Sequence, residues 1–226
     1  MKTYVFQRIF GIINTLCSNI PTDGVVLDLG SGSGAISKNI RKYLTHAYII
    51  SLDLSHNMVR SLKESEPGIE AIIADAEQPP FRPNVFDLIT CSRMIKMTVY
   101  HKLIQSARLI VKHTGRICIV FDSGDVFWVR LLEKLGQPIE IGPTESRART
   151  GRRRTLRSCD LTNALENFDF QVLQRTAITA LPLSLFRHIH PFFWRAVGFL
   201  DRPIYGGRVT TIIARPRATS STDCLS

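Results

Sequence analysis

The residues best suited to chemistry lie between positions 28 and 75 of a 226-residue chain. Asp28-Leu29-Gly30-Ser31-Gly32-Ser33-Gly34 sets three glycines at alternate positions behind a carboxylate. Glycines so placed permit a tight turn and let a ligand lie against bare backbone. The spacing differs from the G-x-G-x-x-G of a dinucleotide fold. Asp53 follows Asp28 by 25 residues, and a carboxylate at that point can accept both hydroxyl hydrogens of a ribose. Asp75 is followed by Ala76. An acid beside a small residue can accept an amino hydrogen from an adenine and leave room for the ring. Singly, Asp28 reads equally well as a turn cap and Asp53 as a helix cap. Their order and spacing point instead to a nucleoside-binding site.

The elements around these residues have a regular pattern. Val25–Leu29, Ala47–Leu52, Ile69–Ala74, Phe86–Cys91 and Arg116–Phe121 are short, nearly continuous apolar runs. The segments between them, Ile36–Leu44, His56–Glu64 and Val99–Val111, have helical patterning, and Asp53, Leu54 and Ser55 offer an N-cap to the second. Such alternation predicts a parallel sheet covered on both faces. The first three strands end within a residue of Asp28, Asp53 and Asp75, so the acids fall at one edge of the sheet. Further on, the pattern predicts helices over Val126–Leu135 and Cys159–Phe168, the latter with Asp160 as its N-cap. Strands are predicted over Phe170–Ala177 and Arg208–Ala214. Phe6, Ile9, Phe10, Ile13 and Leu16 recur at helical spacing, so residues 1–20 read as an amphipathic helix rather than a cleaved leader.

From Gly24 to Phe121, about half of the chain, these motifs resemble the class I S-adenosylmethionine-dependent methyltransferases, in particular the small-molecule branch related to quinone-biosynthesis C-methylases. VLDLGSGSG is similar to that family's first motif, SLDLSHNM to its second and IIADAEQPPF to its adenine-contacting segment. FDLITCSRMI and ARLIVKHTGRICIV resemble the fourth-strand motif and the helix, turn and strand after it. The resemblance implies a Rossmann-like, doubly wound α/β fold. Its sheet would be seven-stranded and mostly parallel, with an antiparallel last strand and helices on both faces. It implies S-adenosyl-L-methionine as cofactor, held by Asp28, Gly30, Ser31, Gly32, Gly34, Asp53, Leu54, Met58, Asp75 and Ala76. Cys91 would lie beside the cofactor or be an ordinary strand residue. Many relatives carry His shortly after the fourth strand, where this chain has Lys96-Met97, and the usual K-P-G-G turn is here Lys112-His113-Thr114-Gly115.

Charge and composition bound the remainder. The net charge is +10, which would suit a nucleic-acid partner if it were spread over the protein. It is not: Arg147, Arg149, Arg152, Arg153, Arg154 and Arg157 crowd into one segment without an acid. No aromatic stands among them to stack on a base, which disfavours nucleic acid; the small-molecule branch that the chain resembles implies a small-molecule acceptor as partner. The segment 181–207 is rich in Phe, Leu, His and Pro. It reads either as a helix packed on the core or as a lid over a lipophilic acceptor, with peripheral contact to a membrane surface. His188 and His190 lie within it, and neither they nor His101 and His113 are assigned as a catalytic base. The five cysteines are odd in number and unpaired in spacing, which fits a reducing cytoplasm and argues against a disulfide framework or zinc site. No metal is expected. The expected organisation is one methyltransferase domain over 1–216. It comprises the N-terminal helix, a cofactor-binding half at 24–121 and an acceptor-side half at 122–216. The last carries the Arg-rich loop 146–158 and the possible cover 181–207. A disordered tail at 217–226 completes the chain.

Overall fold

Apolar runs bounded by turns have few ways to satisfy their backbone groups, and here they do so by pairing into one sheet. The computed structural model describes residues 2–124, 156–178 and 209–218. The helix expected over Val126–Leu135, most of the Arg-rich loop, the segment 181–207 and the tail beyond 218 lie outside those residues. In chain order the elements are α1 (Lys2–Cys17), β1 (Val25–Leu29), α2 (Ala35–Tyr43), β2 (Tyr48–Asp53), α3 (His56–Ser65), β3 (Glu70–Ile73) and β4 (Phe86–Ser92). A short 3-10 turn (Ile95–Met97), α4 (Tyr100–Ile110), β5 (Val111–Asp122), α5 (Ser158–Asn167), β6 (Phe170–Ala177) and β7 (Val209–Pro216) follow.

The seven strands lie in the order β3-β2-β1-β4-β5-β7-β6. Pairing is parallel from β3 across to β5, and β7 runs antiparallel to both β5 and β6. This is the seven-stranded, mostly parallel sheet that the resemblance implies. Alternate residues of each strand feed opposite faces. Val26, Leu88, Cys118 and Val120 join Ile13 of α1 and Ile40 of α2 in one core. Leu27, Ile89 and Ile119 join Leu103 of α4 and Leu161 of α5 in the other. Helices therefore cover both faces, which explains why the strands are apolar throughout rather than alternating.

The N-terminal edge of the sheet is pinned by Asp87. Its Oδ2 accepts the Val25 amide at 2.9 Å and the Lys112 ammonium at 2.7 Å. The bond joins the start of β1 to the beginning of β5, where Val111 pairs with Phe86 before the register shifts. β5 thus begins at Val111, earlier than the expected Arg116.

One expectation is corrected. Asp160 does not cap α5; the N-cap is Arg157, with Asp160 inside the first turn. Leu156 bridges to Ser123, and its carbonyl accepts the Gly124 amide at 2.9 Å. That tie keeps the chain extended through Arg157, so the helix starts at Ser158. Asp160 then places its charge near the positive end of the helix dipole instead.

Phe86 is fully buried and meets Phe81 edge to face at 4.9 Å. Phe86→Ala should lower the free energy of unfolding by about 3–5 kcal/mol, read from the urea midpoint at constant slope.

Candidate functional site

The site begins with a turn that only glycine makes readily. Gly30, Gly32 and Gly34 adopt φ of 65°, 55° and 81°, the left-handed region that costs other residues roughly 1–2 kcal/mol. Space closes two of the three positions as well. A Cβ on Gly30 would strike Met94, and one on Gly34 would strike Leu62 of α3. Gly32 differs: a Cβ there meets nothing within 4 Å. Its bare face looks onto open space, as a ligand cradle requires. The turn is tied to β2, because the amides of Gly30 and Ser31 both donate to the Leu52 carbonyl, at 2.7 and 3.0 Å.

Asp28 lies beneath this turn and is only 1% exposed. Both of its oxygens are taken by protein hydroxyls. Ser37 of α2 donates to Oδ2 at 2.6 Å, and Thr90 of β4 donates to Oδ1 at 2.9 Å. Ser37 Oγ also lies 2.6 Å from Ser51 Oγ of β2. One carboxylate thus links three strands and α2. Burial pushes its pKa up to about 6, against the opposing pull of the Ser37 and Thr90 hydrogen bonds.

Asp53 stands higher, at the end of β2 and half-buried. Its Oδ2 accepts the Gly32 amide at 2.8 Å and its Oδ1 the Ser55 amide at 2.9 Å. Ser55 is the N-cap of α3 but makes no side-chain cap bond. The acid expected to hold a ribose therefore also ties the glycine turn to the start of α3. Each of its oxygens keeps a lone pair for a ligand. Leu54 and Met58 follow it, exposed at 73% and 43%. Asp75 is exposed and turns its Oδ1 to the Glu77 amide at 2.8 Å. Ala76 is buried beside it. The Asp53 carbonyl accepts the Ala74 amide at 3.3 Å, so the two acids end neighbouring strands.

Cys91 has no exposed surface and belongs to the same core as Leu29 and Ile119. It packs under the site as a strand residue, and its thiol, with the pKa pushed up to about 12 mainly by burial, is no nucleophile at neutral pH. His113 is exposed at the opposite edge of the sheet, and His101 stacks on Tyr100 with ring centroids 4.0 Å apart. His188 and His190 lie outside the described residues. No group of three or more metal-ligating side chains occurs among the described residues.

Sequence reasoning missed several supports. Glu77 accepts the amide of Val99, the N-cap of α4, at 2.7 Å, and its carbonyl accepts the Ser106 hydroxyl at 2.6 Å. That pins the Asp75-Ala76 segment to α4, but no local pattern announces a cap 22 residues away. Ser37, Ser51 and Thr90 were more legible. Ser51 and Thr90 interrupt otherwise apolar strands, and a buried hydroxyl needs a partner.

Residues 27–119 match the family described as methyltransferase domain. The match runs from β1 into β5, and over that span the chain carries a methyltransferase domain. Among curated relatives, the ubiquinone/menaquinone biosynthesis C-methyltransferase of Wigglesworthia glossinidia brevipalpis is 29% identical over 135 residues, covering 56% of this chain and 54% of the relative. The malonyl-[acyl-carrier protein] O-methyltransferase of Geobacter sulfurreducens is 28% identical over 131 residues, covering 56% and 49%. The matches thus span about half the length of these relatives. The fold extends further than the sequence likeness. The solved structure of geranyl diphosphate methyltransferase with S-adenosylmethionine superposes with a TM-score of 0.65 at 11% identity, over 93% of this chain and 85% of that one. The YcgJ protein of Bacillus subtilis superposes at 0.64 and 16% identity, over 94% and 100%.

The methyltransferase domain's own atoms fit the cofactor. Gly32 leaves its face open, and Asp53 has acceptor capacity to spare. Ser31 Oγ is buried with no hydrogen-bond partner, and a buried hydroxyl left so invites a polar ligand atom.

Asp28 makes the domain's stability depend on pH. Its folded pKa, about 6, lies above the ordinary aspartate value of 3.8, so the folded state binds the proton more tightly. The stability this contributes is present below pH 4 and is lost as pH rises through 6. The loss amounts to about 3 kcal/mol. Urea unfolding at stepped pH should show wild type losing more stability from pH 4 to 7 than Asp28→Asn; parallel curves would contradict the burial.

Proposed function

We propose that this chain transfers a methyl group from S-adenosylmethionine to a small, lipophilic or aromatic acceptor. The observation carrying the donor half is the bond from the Gly32 amide to Asp53. It places an open backbone face and a ribose-competent carboxylate in one hydrogen-bonded unit. Asp53 would accept the ribose hydroxyls, and Asp75 beside Ala76 would take the adenine amino group, with Leu54, Met58 and Ala76 supplying apolar contact. Gly30, Ser31, Gly32 and Gly34 would shape the methionine side. Asp28 acts from below, holding the turn through Ser37 rather than touching the ligand. Bound there, the sulfonium supplies an electrophilic methyl carbon. The protein then has to align the acceptor and exclude water, which can supply much of the acceleration. A general base is needed only if the acceptor loses a proton near the transition state. None is assigned.

The acceptor class rests on relatives. Two curated relatives are named for ubiquinone/menaquinone biosynthesis and for malonyl-[acyl-carrier protein]. Among the described residues no helix is long and apolar enough to cross a membrane.

Two substitutions separate binding from folding. Asp53→Ala should weaken S-adenosylhomocysteine binding by about 1–3 kcal/mol in titration calorimetry, the range for a lost charged hydrogen bond. Gly32→Ala should cost about 1–2 kcal/mol of stability through its φ alone while blocking the cradle. Unchanged affinity in both variants would contradict the donor site. For the acceptor, labelled methyl transfer into a cell lysate should mark the small-molecule and lipid pools. Label confined to RNA or protein would overturn that half of the reading.

A further inference from the structure

The edge of the sheet that carries the glycine turn also carries a pair of cations which the donor site does not use. Arg93 is the first residue after β4, Lys96 lies in the 3-10 turn and Asp122 ends β5. Lys96 Nζ lies 2.7 Å from Asp122 Oδ2, and Arg93 Nη2 lies 3.5 Å from Oδ1. β4 pairs with β1 up to Cys91 opposite Leu29, so Arg93 begins where the glycine turn begins, one strand away. Met94, between the two cations, is the side chain that abuts Gly30.

We propose that Arg93 and Lys96 form an anion-binding subsite for the acceptor, which therefore carries a phosphate or carboxylate group. This rests on the methyltransferase reading above. Three observations support it. First, two cations share one carboxylate, so the cluster of three is net positive. Second, both cations keep outward surface: their side chains are 45% and 38% exposed. At 3.5 Å the Arg93 contact leaves most of the five guanidinium donors uncommitted toward Asp122. Third, Arg93 has φ of 60°, a conformation costly for any residue but glycine. The turn is held there by the Arg93 amide, which donates to the Val120 carbonyl at 2.6 Å. Backbone strain of this kind persists where the surroundings enforce it, and it clusters at ligand clamps. Here the strained residue is the one bearing the guanidinium. Asp122 orients both cations in the absence of ligand, so an arriving anion meets donors already in place.

The test uses soluble probes. Octyl phosphate, octanoate and octanol are titrated into the full chain, with and without S-adenosylhomocysteine. The two anions should bind at least about tenfold more tightly than octanol, and less tightly as salt rises. Whichever anion binds better identifies the group. Arg93→Gly removes the guanidinium and gives the left-handed position its most tolerant residue, so this variant should fold. Arg93→Gly and Lys96→Gln should each reduce anion affinity while leaving octanol and S-adenosylhomocysteine binding unchanged. Anions binding no better than octanol, or equally well to both variants, would overturn the subsite. So would variants that lose only sedimentation with phosphatidylglycerol vesicles. Failure of the wild type to bind S-adenosylhomocysteine would instead count against the donor site, and the titrations without it would still decide the subsite.

Discussion

Three left-handed residues within five positions make a turn that cannot stand on local preference, and the rest of the site depends on how it is held. From below, the Asp28 carboxylate engages Ser37 and Thr90, and Ser37 in turn meets Ser51. From the side, the Leu52 carbonyl takes two turn amides. From above, Asp53 takes the Gly32 amide. The supports come from β1, β2, β4 and α2, so the turn is rigid only when these elements are packed together. The preorganisation of the site and the completion of the sheet are thus one event. A carboxylate buried at neutral pH is an expensive support, and its cost falls where stability is commonly sacrificed to function.

The two edges of the sheet divide the work. At the N-terminal edge, Asp87 draws the start of β1 and the turn before the long part of β5 together with an ion pair and an amide bond. At the C-terminal edge, the acids and cations are left with capacity for a ligand: Asp53 and Asp75 on one side of β1, Arg93 and Lys96 on the other. Open α/β sheets place ligands at this edge because the chain reverses direction on either side of the central strand. β1 is that strand here, flanked by β2 and β4.

Much of this was legible in the sequence. The spans of β1, α3 and β6 were readable within a residue, because strands buried on both faces read as continuous apolar runs and turn residues punctuate them. The three acids fell at strand ends because the motif spacing matches one βαβ repeat. What escaped was non-local. The Leu156 bridge to β5 set the start of α5, and a local N-cap rule read Asp160 instead. Glu77 caps a helix from another loop. Asp28 could be seen as important but not as submerged, since its burial depends on hydroxyls contributed by Ser37 and Thr90, 9 and 62 residues away.

The position of β7 has a consequence for how the chain reaches this state. It is last in sequence among the strands, yet it lies between β5 and β6. While the ribosome is still making it, β5 presents a long unpaired edge and β6 has no strand to join. A nascent chain in that condition is sticky along one side. The half of the sheet holding β1 to β4 has its neighbours early and can consolidate first. The donor half therefore matures before the flank that closes with β7, and any slowing of translation before Val209 prolongs exposure of the β5 edge.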